Sequence, residues 1–600
     1  MPGYHGRYLL LEIDRGDRTV CSLREREARA LLGGPGLAAR WLYRHTPAGV
    51  DPFSAENALV LATSPLVDTG VTTSSRACFS TRSPQTGFLG ESLVSSRFAV
   101  ALKRTGWDGL VILGALPRLS VLAVEEGEIR IVPAPELAGL STAETEQAVR
   151  ASLGSRFQVA AIGPAGERRV RYATVSHDGR HAGRTGLGAV LGAKNLKAIA
   201  VAGERRLEPA DAAGLLEAAA ALRERSRGPE TAKYRLLGTS GNLLTFDRVG
   251  VLPTRNFQQA VFPGAARLTG EALARGGAVE RSGCYGCTIG CEHRYAPAPG
   301  GAAVRAEYES LFALGPLLGL DDRETVLQAA GLADSLGLDT LSLGGTLAWA
   351  MESVERGVLG PERLDGLDLR FGNSGAVLEA IRRIGHREGP LGELLADGSL
   401  RAAARVGCGS DRWSMQVKGL ELPGYEPRAL KSLALGLAVG ARGACHNRSS
   451  AYDADFARLG EELPDAEALA RSALDAEDRA AVMDGLGLCK FLRRCFDDFY
   501  GESARLLELV TGWAVDGPEL RAAGSRTVSL KRLYNQREDA TRADDTLPPR
   551  LLQEAVHDGP RAGDALTRAD LDRLLDAYYA LREWSPDGTV PPNLAASVLA

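Results

Sequence analysis

The chain lacks any long hydrophobic run. Its 600 residues contain no stretch of about 18 consecutive apolar residues, the length that a membrane-spanning helix requires. The sequence passes from Met1 directly into a strand pattern and shows no signal-peptide core. We therefore expect a cytoplasmic protein that has no membrane partner.

The chain also lacks a strong excess of charge. Its formal net charge is -4, which gives no reason to expect nucleic acid or an anionic membrane as a partner. A hydrophobic content of 44% and a charged content of 24% are those of an ordinary globular protein. Low-complexity tracts and a solenoid period are absent. At this length one core is not enough, so we expect several domains.

Two nucleotide-binding signatures are missing, the Walker loop and the Gly-x-Gly-x-x-Gly fingerprint. One glycine-rich segment is present, over residues 180–197. Backbone N–H groups at a helix start, with Arg180 and Arg184 close in sequence, are suited to a phosphate. A tight turn before a short helix is the competing interpretation.

Apolar runs and helical periodicity predict an α+β fold, with a mixed β-sheet domain followed by two mainly α-helical domains. Strands are predicted at 8–13, 58–63, 109–114, 121–124, 129–132 and 198–201. Helices are predicted at 24–43, 212–227, 491–500 and 571–581, and loops at 276–277 and 297–301. The predicted domains are 1–208, 209–412 and 413–600, with a ligand held at their interface.

Nine cysteines, an odd number with three inside eight residues, do not resemble a disulfide framework. Cys284, Cys287 and Cys291 form a Cys-x-x-Cys-x-x-x-Cys run. Three clustered thiols plus one remote thiol are commoner for a [4Fe–4S] cluster than for zinc, although zinc and unligated thiols stay open. The candidates for the fourth ligand are Cys21, Cys78, Cys408, Cys445, Cys489 and Cys495.

An Asp-x-x-Gly-Leu element occurs twice, at 334–338 and at 484–488. The duplication suggests two equivalent binding surfaces for one repeated ligand. Cys489 directly follows the second copy, which suggests a metal cluster beside that ligand. A helix C-cap, with Gly337 and Gly487 in the left-handed conformation, is the structural alternative. It does not account for the aspartate three residues before each glycine.

Together with further stretches, these motifs resemble the tungsten-containing aldehyde ferredoxin oxidoreductase family over essentially the whole chain. The stretches that carry the resemblance, in matching order, are 183–199, 252–257, 307–309, 418–425, 443–446 and 544–548.

This resemblance implies two pyranopterin dithiolenes that hold one tungsten or molybdenum atom, and a magnesium ion that joins the pterin phosphates. It also implies one [4Fe–4S] cluster, ligated by Cys284, Cys287, Cys291 and Cys489. The residues implied to hold the pterins, their phosphates and the magnesium are Arg76, Leu93, Ser95, Arg180, His181, Gly183, Asp334, Leu338, Arg448, Asp484, Leu488 and Cys489.

Three of these positions depart from the family pattern. Leu93 replaces an asparagine whose backbone carbonyl serves the magnesium ion, so leucine can still supply that group. Ser95 replaces a glycine at a close backbone approach. His181 replaces a small residue beside the same ion. These changes put the phosphate site and the cofactor loading in question.

The function implied is oxidation of an aldehyde to a carboxylic acid, or the reverse, with electrons passing to ferredoxin or a separate iron–sulfur subunit. Glu309 is the candidate general base, His446 would hold the carbonyl oxygen, and Tyr425 would hydrogen-bond to it. Alternatively, Glu309 is a surface or N-cap carboxylate, His446 is a core histidine, and Tyr425 is an aromatic residue that anchors a loop.

Two other functions stay open. One is a related tungsten enzyme that reduces another substrate, such as an activated aromatic acid. The other is a non-catalytic, cluster-stabilised binding protein with a degenerate pterin site. The sequence leaves open the aldehyde, the choice of metal and whether the chain forms a homodimer.

Overall fold

A computed structural model describes residues 1–275, 279–298 and 300–600. The loop predicted at 276–277, and position 299 of the loop predicted at 297–301, lie outside these residues. The strands of the first part are β1 (Arg7–Glu12), β2 (Asp17–Ser22), β3 (Leu59–Ala62), β4 (Arg76–Arg82), β5 (Leu89–Ser95), β6 (Gly109–Leu113), β7 (Ser120–Val124), β8 (Ile129–Pro133), β9 (Gln158–Ala161), β10 (Val175–His177), β11 (Arg180–Ala182) and β12 (Leu196–Val201).

The helices of the same part are α1 (Glu25–Leu31), α2 (Gly34–His45), α3 (Arg97–Arg104), α4 (Thr142–Leu153), α5 (Pro164–Glu167) and α6 (Leu187–Ala193). The strands form two six-stranded mixed sheets, in the orders β2-β1-β6-β3-β4-β5 and β11-β10-β9-β12-β7-β8. In each sheet one pair is parallel, β1 with β6 and β7 with β12. The other pairs are antiparallel.

The two sheets share one hydrophobic core. Leu9 and Leu11 of β1 enter the same cluster as Leu122 and Val124 of β7. Tyr8, one position along β1, belongs instead to the main core with the helices. This alternation follows the period of two along a strand, and it places the helical parts on the opposite face of the first sheet.

Helices dominate from residue 212 onward. They are α7 (Ala212–Arg225), α8 (Ala232–Leu237), α9 (Asn242–Arg248), α10 (Gly270–Arg275), α11 (Tyr308–Leu314), α12 (Arg323–Leu336), α13 (Thr340–Glu355), α14 (Ser374–His386), α15 (Gly389–Leu395), α16 (Ser399–Val406), α17 (Lys431–Val439), α18 (His446–Ser449), α19 (Tyr452–Ala457), α20 (Ala466–Leu486), α21 (Phe499–Thr511), α22 (Gly517–Arg537), α23 (Pro549–Gln553), α24 (Arg568–Leu581) and α25 (Pro592–Leu599). Short strands accompany them, β13 (Val279–Ser282), β14 (Glu292–Tyr295), β15 (Val304–Arg305), β16 (Gln416–Val417) and β17 (Leu420–Glu421).

The α+β class is confirmed, and so are the six predicted strands. Two helix predictions were wrong. The segment 24–43 forms two helices rather than one, because Leu32 has a positive φ of 61° and breaks the chain before α2. The segment 491–500 is largely a turn, because the Asp498 side chain caps a helix that starts only at Phe499. The two boundaries between the three predicted domains stay predictions. Among the described residues, no helix is both long and apolar enough to cross a bilayer.

A fully buried ion-pair network joins two of the stretches that resemble the family. Lys418 Nζ lies 2.8 Å from Asp545 Oδ1, and Arg532 Nη1 lies 2.9 Å from Asp545 Oδ2. The hydroxyl of Tyr579 donates to the same carboxylate at 2.5 Å. These stretches therefore have a structural role, fastening the β16–β17 hairpin to α22 and α24.

We expect Asp545→Ala to lower the free energy of unfolding by about 3–5 kcal/mol, because it leaves Lys418 and Arg532 buried without their anion. Denaturant unfolding followed by circular dichroism measures the change. Asp544→Asn is the matched control, since the Asp544 side chain accepts from Thr541 N in a capping box and the amide oxygen of asparagine can accept the same hydrogen bond. Equal shifts for the two variants would contradict a special role for Asp545.

Candidate active site

The two Asp-x-x-Gly-Leu copies are helix ends. Gly337 ends α12 with φ 78°, and Gly487 ends α20 with φ 81°. Leu338 N donates to Ala333 O at 2.9 Å, and Leu488 N donates to Met483 O at 2.8 Å. This pattern is a Schellman-type C-cap, which requires the left-handed conformation that glycine adopts without strain. The structural alternative thus explains both glycines, and each aspartate lies in the last turn of its helix.

A cavity of about 240 Å³ lies where the first β-rich part meets both helical parts. Nine of the site residues that the family resemblance implies line it, namely Arg76, Leu93, His181, Gly183, Glu309, Asp334, Leu338, His446 and Arg448. All three predicted domains contribute, as the expected interface location requires. Its cationic lining residues are Arg76, Arg184, Arg305, Arg442, Arg448 and Lys490. Four carboxylates also line the cavity, those of Glu307, Glu309, Asp334 and Asp339. The remaining excess of positive charge at a partly buried site is suited to an anionic ligand.

The two aspartates differ in their surroundings. Asp334 lines the cavity with 29% of its side chain exposed, 3.3 Å from His181 Nε2. Asp484 is 1% exposed and lies 2.9 Å from Arg448 Nη1 and 3.0 Å from Lys490 Nζ. Burial alone would raise the pKa of Asp484, but the neighbouring Lys490 and Arg448 outweigh it and hold that pKa below its usual value. The repeat therefore gives one accessible carboxylate and one that is paired with cations bordering the same cavity.

Arg448 is held in place by two carboxylates. Its Nε lies 2.7 Å from Glu91 Oε1, and its Nη1 contacts Asp484. Glu91 also accepts from Lys531 at 2.7 Å. Burial by itself would raise the pKa of Glu91, but Lys531, Arg448 and Arg442 overcome it and lower that pKa to about 2. The anchored guanidinium faces the cavity in a fixed orientation.

Glu309 and His446 form a pair at the cavity wall. Glu309 lies in the first turn of α11, and His446 is the first residue of α18. Glu309 Oε1 is 3.2 Å from His446 Nδ1, in contact but not aligned as a hydrogen bond. The other carboxylate oxygen, Oε2, accepts from Gly424 N at 2.9 Å. Glu309 is thus neither an N-cap nor a surface carboxylate.

The surroundings shift both groups of this pair towards their neutral forms. Burial raises the pKa of Glu309 to about 8, against the opposing effects of the Gly424 N–H and Arg184. Burial also lowers the pKa of His446 to about 3, and Arg184 and Arg442 add to that shift. At neutral pH the pair therefore consists mainly of a carboxylic acid and a neutral imidazole, a combination that can exchange one proton.

A second cavity, of about 660 Å³, adjoins the first one, and Glu307, Glu309, His446 and Asn447 line both. We call this second cavity the antechamber. Tyr425 lines it and is 4% exposed, with its ring centroid 5.1 Å from that of His446. Tyr425 therefore stands beside the pair but not in the cation-lined cavity.

Four of the cysteines come together next to these cavities. Burial raises the pKa of Cys284, Cys287 and Cys291, that of Cys287 to about 11. Negative charge on Cys489 adds to the rise at each of the three thiols. Cys489 is thus close to the whole triplet, whereas the charged groups around Cys495 are Glu230 and nearby arginines. Among the candidates for a fourth thiol, the geometry favours Cys489.

The spacing of these thiols distinguishes two kinds of metal site. One tetrahedral zinc ion, with Zn–S bonds of about 2.3 Å, holds its sulfurs about 3.8 Å apart. Within the described residues, Glu146, His177 and Asp178 alone form a group of three or more ligand atoms lying within 4.8 Å of one another. The thiols are therefore too widely spaced for one zinc ion. In the Glu146 group, both His177 nitrogens already contact backbone atoms of Val159 and Phe98.

Protein groups already contact the thiol cluster. Cys287 Sγ accepts from Ile289 N at 3.3 Å and from Gly290 N at 3.5 Å. Arg180 pairs with Glu292 and lies beside Cys284, so it faces the thiols and does not line the cation-lined cavity.

Strands β4 and β5 connect the thiols with the cavity. Arg76 Nε donates to Ser95 Oγ at 3.2 Å, and Arg76 Nη1 donates to Leu488 O at 3.3 Å, one residue before Cys489. Arg76 itself lines the cavity, whereas Ser95 and Leu488 do not. Arg76 thus spans the space between the cavity and the chain segment that carries the fourth thiol.

Sequence reasoning missed several cavity residues, namely Arg305, Asp339, Arg442, Asn447 and Lys490, whereas Arg184 and Cys445, which also line the cavity, were among the candidates for other ligands. Arg442 and Asn447 flank the stretch 443–446, and Lys490 follows Cys489, so adjacency to a motif was the available signal. Arg184 is 8% exposed and donates to Ala444 O and Glu421 O, both at 2.7 Å. Arg184 therefore joins the first, β-rich part to the last helical part through contacts that are distant in sequence.

Comparison with protein families matches both halves of the chain. Residues 9–203 match the model of the aldehyde ferredoxin oxidoreductase N-terminal domain, and residues 217–597 match the model of domains 2 and 3 of the same family. The chain belongs to the aldehyde ferredoxin oxidoreductase family. The resemblance found in the sequence is thereby confirmed, and the family is one of oxidoreductases.

Curated relatives match nearly the whole length of the chain. The tungsten-containing aldehyde ferredoxin oxidoreductases of Pyrococcus abyssi and Pyrococcus furiosus are each 35% identical, over 98% of this chain and 98% of their own length. The aliphatic sulfonate oxidoreductase WOR-like subunit of P. furiosus is 26% identical, over 96% of this chain and 94% of its own.

A solved structure shares the fold. The active site complex of benzoyl coenzyme A reductase with 1,5-dienoyl-CoA superimposes with a TM-score of 0.86 at 23% identity, covering 100% of this chain and 97% of that one. At that identity the likeness concerns the fold alone.

Proposed function

We propose that this protein oxidises an aldehyde to a carboxylic acid at a tungsten bis-pyranopterin centre and passes the electrons through a [4Fe–4S] cluster. The observation that carries the proposal is the placement of Glu309 and His446. They stand at the wall shared by a cation-lined cavity and a larger antechamber. Family membership and relatives named for the aldehyde reaction support the same conclusion.

The charge of the cavity lining suits an anionic cofactor. Six cations border it, and Arg442 Nε is buried there without a hydrogen-bond partner in the described residues. An unpaired buried donor costs about 1–3 kcal/mol, which a bound phosphate oxygen would recover. Asp334 would accept N–H groups of one pterin, and Asp484, close to Arg448 and Lys490, would border the other. The cavity-lining residues that would hold the pterins and phosphates are Arg76, His181, Gly183, Leu338 and Arg448. Arg180, Leu488 and Cys489, which the family resemblance also implied, do not line this cavity.

A magnesium ion between the pterin phosphates belongs to the same proposal. The backbone carbonyl of Leu93 would serve it, since Leu93 lines the cavity. His181 contacts Asp334 and Thr174, so its bulk is accommodated by partners already in place. The hydroxyl oxygen of Ser95 accepts a hydrogen bond from Arg76, so the serine that replaces glycine here has a partner. His181 and Ser95 therefore each have protein partners at this site.

The thiols support a cluster rather than zinc. Cys284, Cys287, Cys291 and Cys489 are grouped, but they are spaced more widely than one zinc ion allows. Tyr285, inside the triplet, is 42% exposed, so the cluster loop reaches the surface. Electrons would leave there to ferredoxin or to a separate iron–sulfur subunit.

The chain's own residues would orient the substrate and move its protons. Oxidation adds one water oxygen to the aldehyde and releases two electrons and two protons, and the tungsten centre supplies the two-electron chemistry when bound. Ionised Glu309 would take a proton from water or from the hydrated aldehyde. With its proton on Nε2, His446 would donate to the substrate oxygen, and Tyr425 would donate to the same oxygen from the antechamber. Once protonated, Glu309 can share that proton with His446 Nδ1.

Metal analysis together with an activity panel tests the function. Anaerobically purified protein should contain about one tungsten per chain, release pterin on extraction and reduce a low-potential dye with aldehydes. Zinc alone, without pterin, would indicate the non-catalytic binding protein. Tungsten and pterin without aldehyde turnover, but with reduction of an activated aromatic acid, would indicate the related reductive enzyme.

The raised pKa of Glu309 predicts how activity depends on pH. A general base acts in its ionised form, which increases as the pH passes upward through about 8. We therefore expect kcat/KM for an aldehyde to rise about tenfold per pH unit below 8 and to level off above it. Steady-state kinetics from pH 6 to 10 measure this profile. A decrease across the same range would show that Glu309 acts as an acid instead.

A further inference from the structure

The wall of the antechamber is rich in aromatic side chains. Phe246 of α9 is 7% exposed, and its ring centroid lies 4.9 Å from that of Tyr308, 5.3 Å from that of Tyr425 and 4.9 Å from that of Phe456. All four residues line the antechamber. We call them the aromatic group.

This aromatic wall continues on two sides of the group. Tyr452 stacks on Tyr425 with ring centroids 5.1 Å apart and an interplanar angle of 25°. Tyr234 stacks on Phe491 at 4.1 Å and 22°. Both pairs also line the antechamber. A ligand here would therefore meet ring faces and ring edges along much of its length.

Polar groups mark the end of the antechamber that meets the cation-lined cavity, where Glu309, His446 and Asn447 are shared by both cavities. Other charged residues line the rest of the antechamber beside the aromatic wall, namely Glu230, Lys233, Arg248, Glu271, Asp453, Arg493 and Arg494. The ring of Tyr425 joins this end to the aromatic group, since it contacts both His446 and Phe246. A molecule with a polar head and a flat apolar body would match this arrangement.

We propose that the substrate is an aryl aldehyde, with its carbonyl group at Glu309 and His446 and its ring against the aromatic group. This inference rests on the proposed aldehyde oxidation and specifies the class of aldehyde. The antechamber volume of about 660 Å³ lies within the usual range of small-molecule sites and admits a single-ring compound.

Ring chemistry separates aryl from saturated substrates of equal size. Burial of apolar surface favours the binding of aryl and saturated aldehydes alike, in proportion to the area removed from water. Only an aromatic ring adds the attraction between the edge of one ring and the face of another. The aromatic group offers both ring edges and ring faces, because its rings meet at angles of 22°, 50° and 78°. Planar substrates are therefore preferred over saturated ones.

A matched substrate pair tests this preference. Benzaldehyde and cyclohexanecarbaldehyde have the same carbon skeleton size but differ in aromaticity. We expect kcat/KM of the holoenzyme to favour benzaldehyde. The variant Phe246→Leu keeps an apolar side chain and removes one ring, so the benzaldehyde preference should fall about three- to tenfold.

The control is Phe262→Leu, because Phe262 is equally buried but does not line the antechamber. It should leave the ratio of the two kcat/KM values unchanged. If the wild-type enzyme oxidises both aldehydes equally well, or if Phe246→Leu leaves the ratio unchanged, the inference is wrong while the proposed function stands.

A binding measurement tests the same inference without turnover. Isothermal titration calorimetry of the holoenzyme with benzoate and with cyclohexanecarboxylate compares the two acids directly. Tighter binding of benzoate, weakened by Phe246→Leu and unaffected by Phe262→Leu, supports the aromatic site even if no aldehyde is oxidised. Equal binding of both acids overturns it. Failure of aldehyde turnover with preserved benzoate selectivity would instead refute the proposed reaction.

Discussion

Replacing Glu309 with glutamine is expected to lower kcat at least about a hundredfold, which is the lower end of what a general base contributes. Glutamine has nearly the same shape, and its carbonyl oxygen can still accept from Gly424 N as Glu309 Oε2 does at 2.9 Å. It cannot take a proton, however, so the rising pH limb should disappear along with the activity. Steady-state kinetics and the pH profile measure both effects.

The control for this experiment is Glu146→Gln. Glu146 is also buried, burial raises its pKa, and it accepts a backbone N–H from Asp178 at 3.0 Å. It lines neither the cation-lined cavity nor the antechamber. Metal, pterin and iron content should match the wild type in both variants. Unchanged turnover in Glu309→Gln would remove Glu309 from the proposed reaction.

Replacing Cys489 with alanine is expected to abolish the electron paramagnetic resonance signal of the reduced [4Fe–4S] cluster. The variant removes the one thiol that adjoins all three members of the triplet. Turnover with an external acceptor should fall with the signal, because the proposed exit route is interrupted. Iron analysis together with spectroscopy of the dithionite-reduced protein measures the loss.

Cys495→Ala serves as the matched control for that variant. Cys495 is 4% exposed and only six residues away, but charged groups other than the triplet surround it. It should keep both the iron and the signal. The opposite pattern, with the signal lost in Cys495→Ala and kept in Cys489→Ala, would reassign the fourth ligand.

Local sequence signals predicted the parts of the fold that depend on near neighbours. Short apolar runs located β1, β3 and β6, because a buried strand has that pattern in almost any context. The glycines at 337 and 487 indicated helix ends for the same reason, since the left-handed conformation is a local requirement. The turn after Cys489 was misjudged, because the Asp498 cap that delays α21 competes with helical periodicity.

The sequence by itself determined the family and the residues that belong to its motifs, because those motifs are contiguous and specific in their spacing. Only the tertiary structure decided which of them meet. It sequestered Asp484 among cations while leaving Asp334 accessible, turned Arg180 towards the thiols, and placed Tyr425 in the antechamber. These outcomes depend on burial and on charges brought together from distant segments, and no local pattern encodes either one.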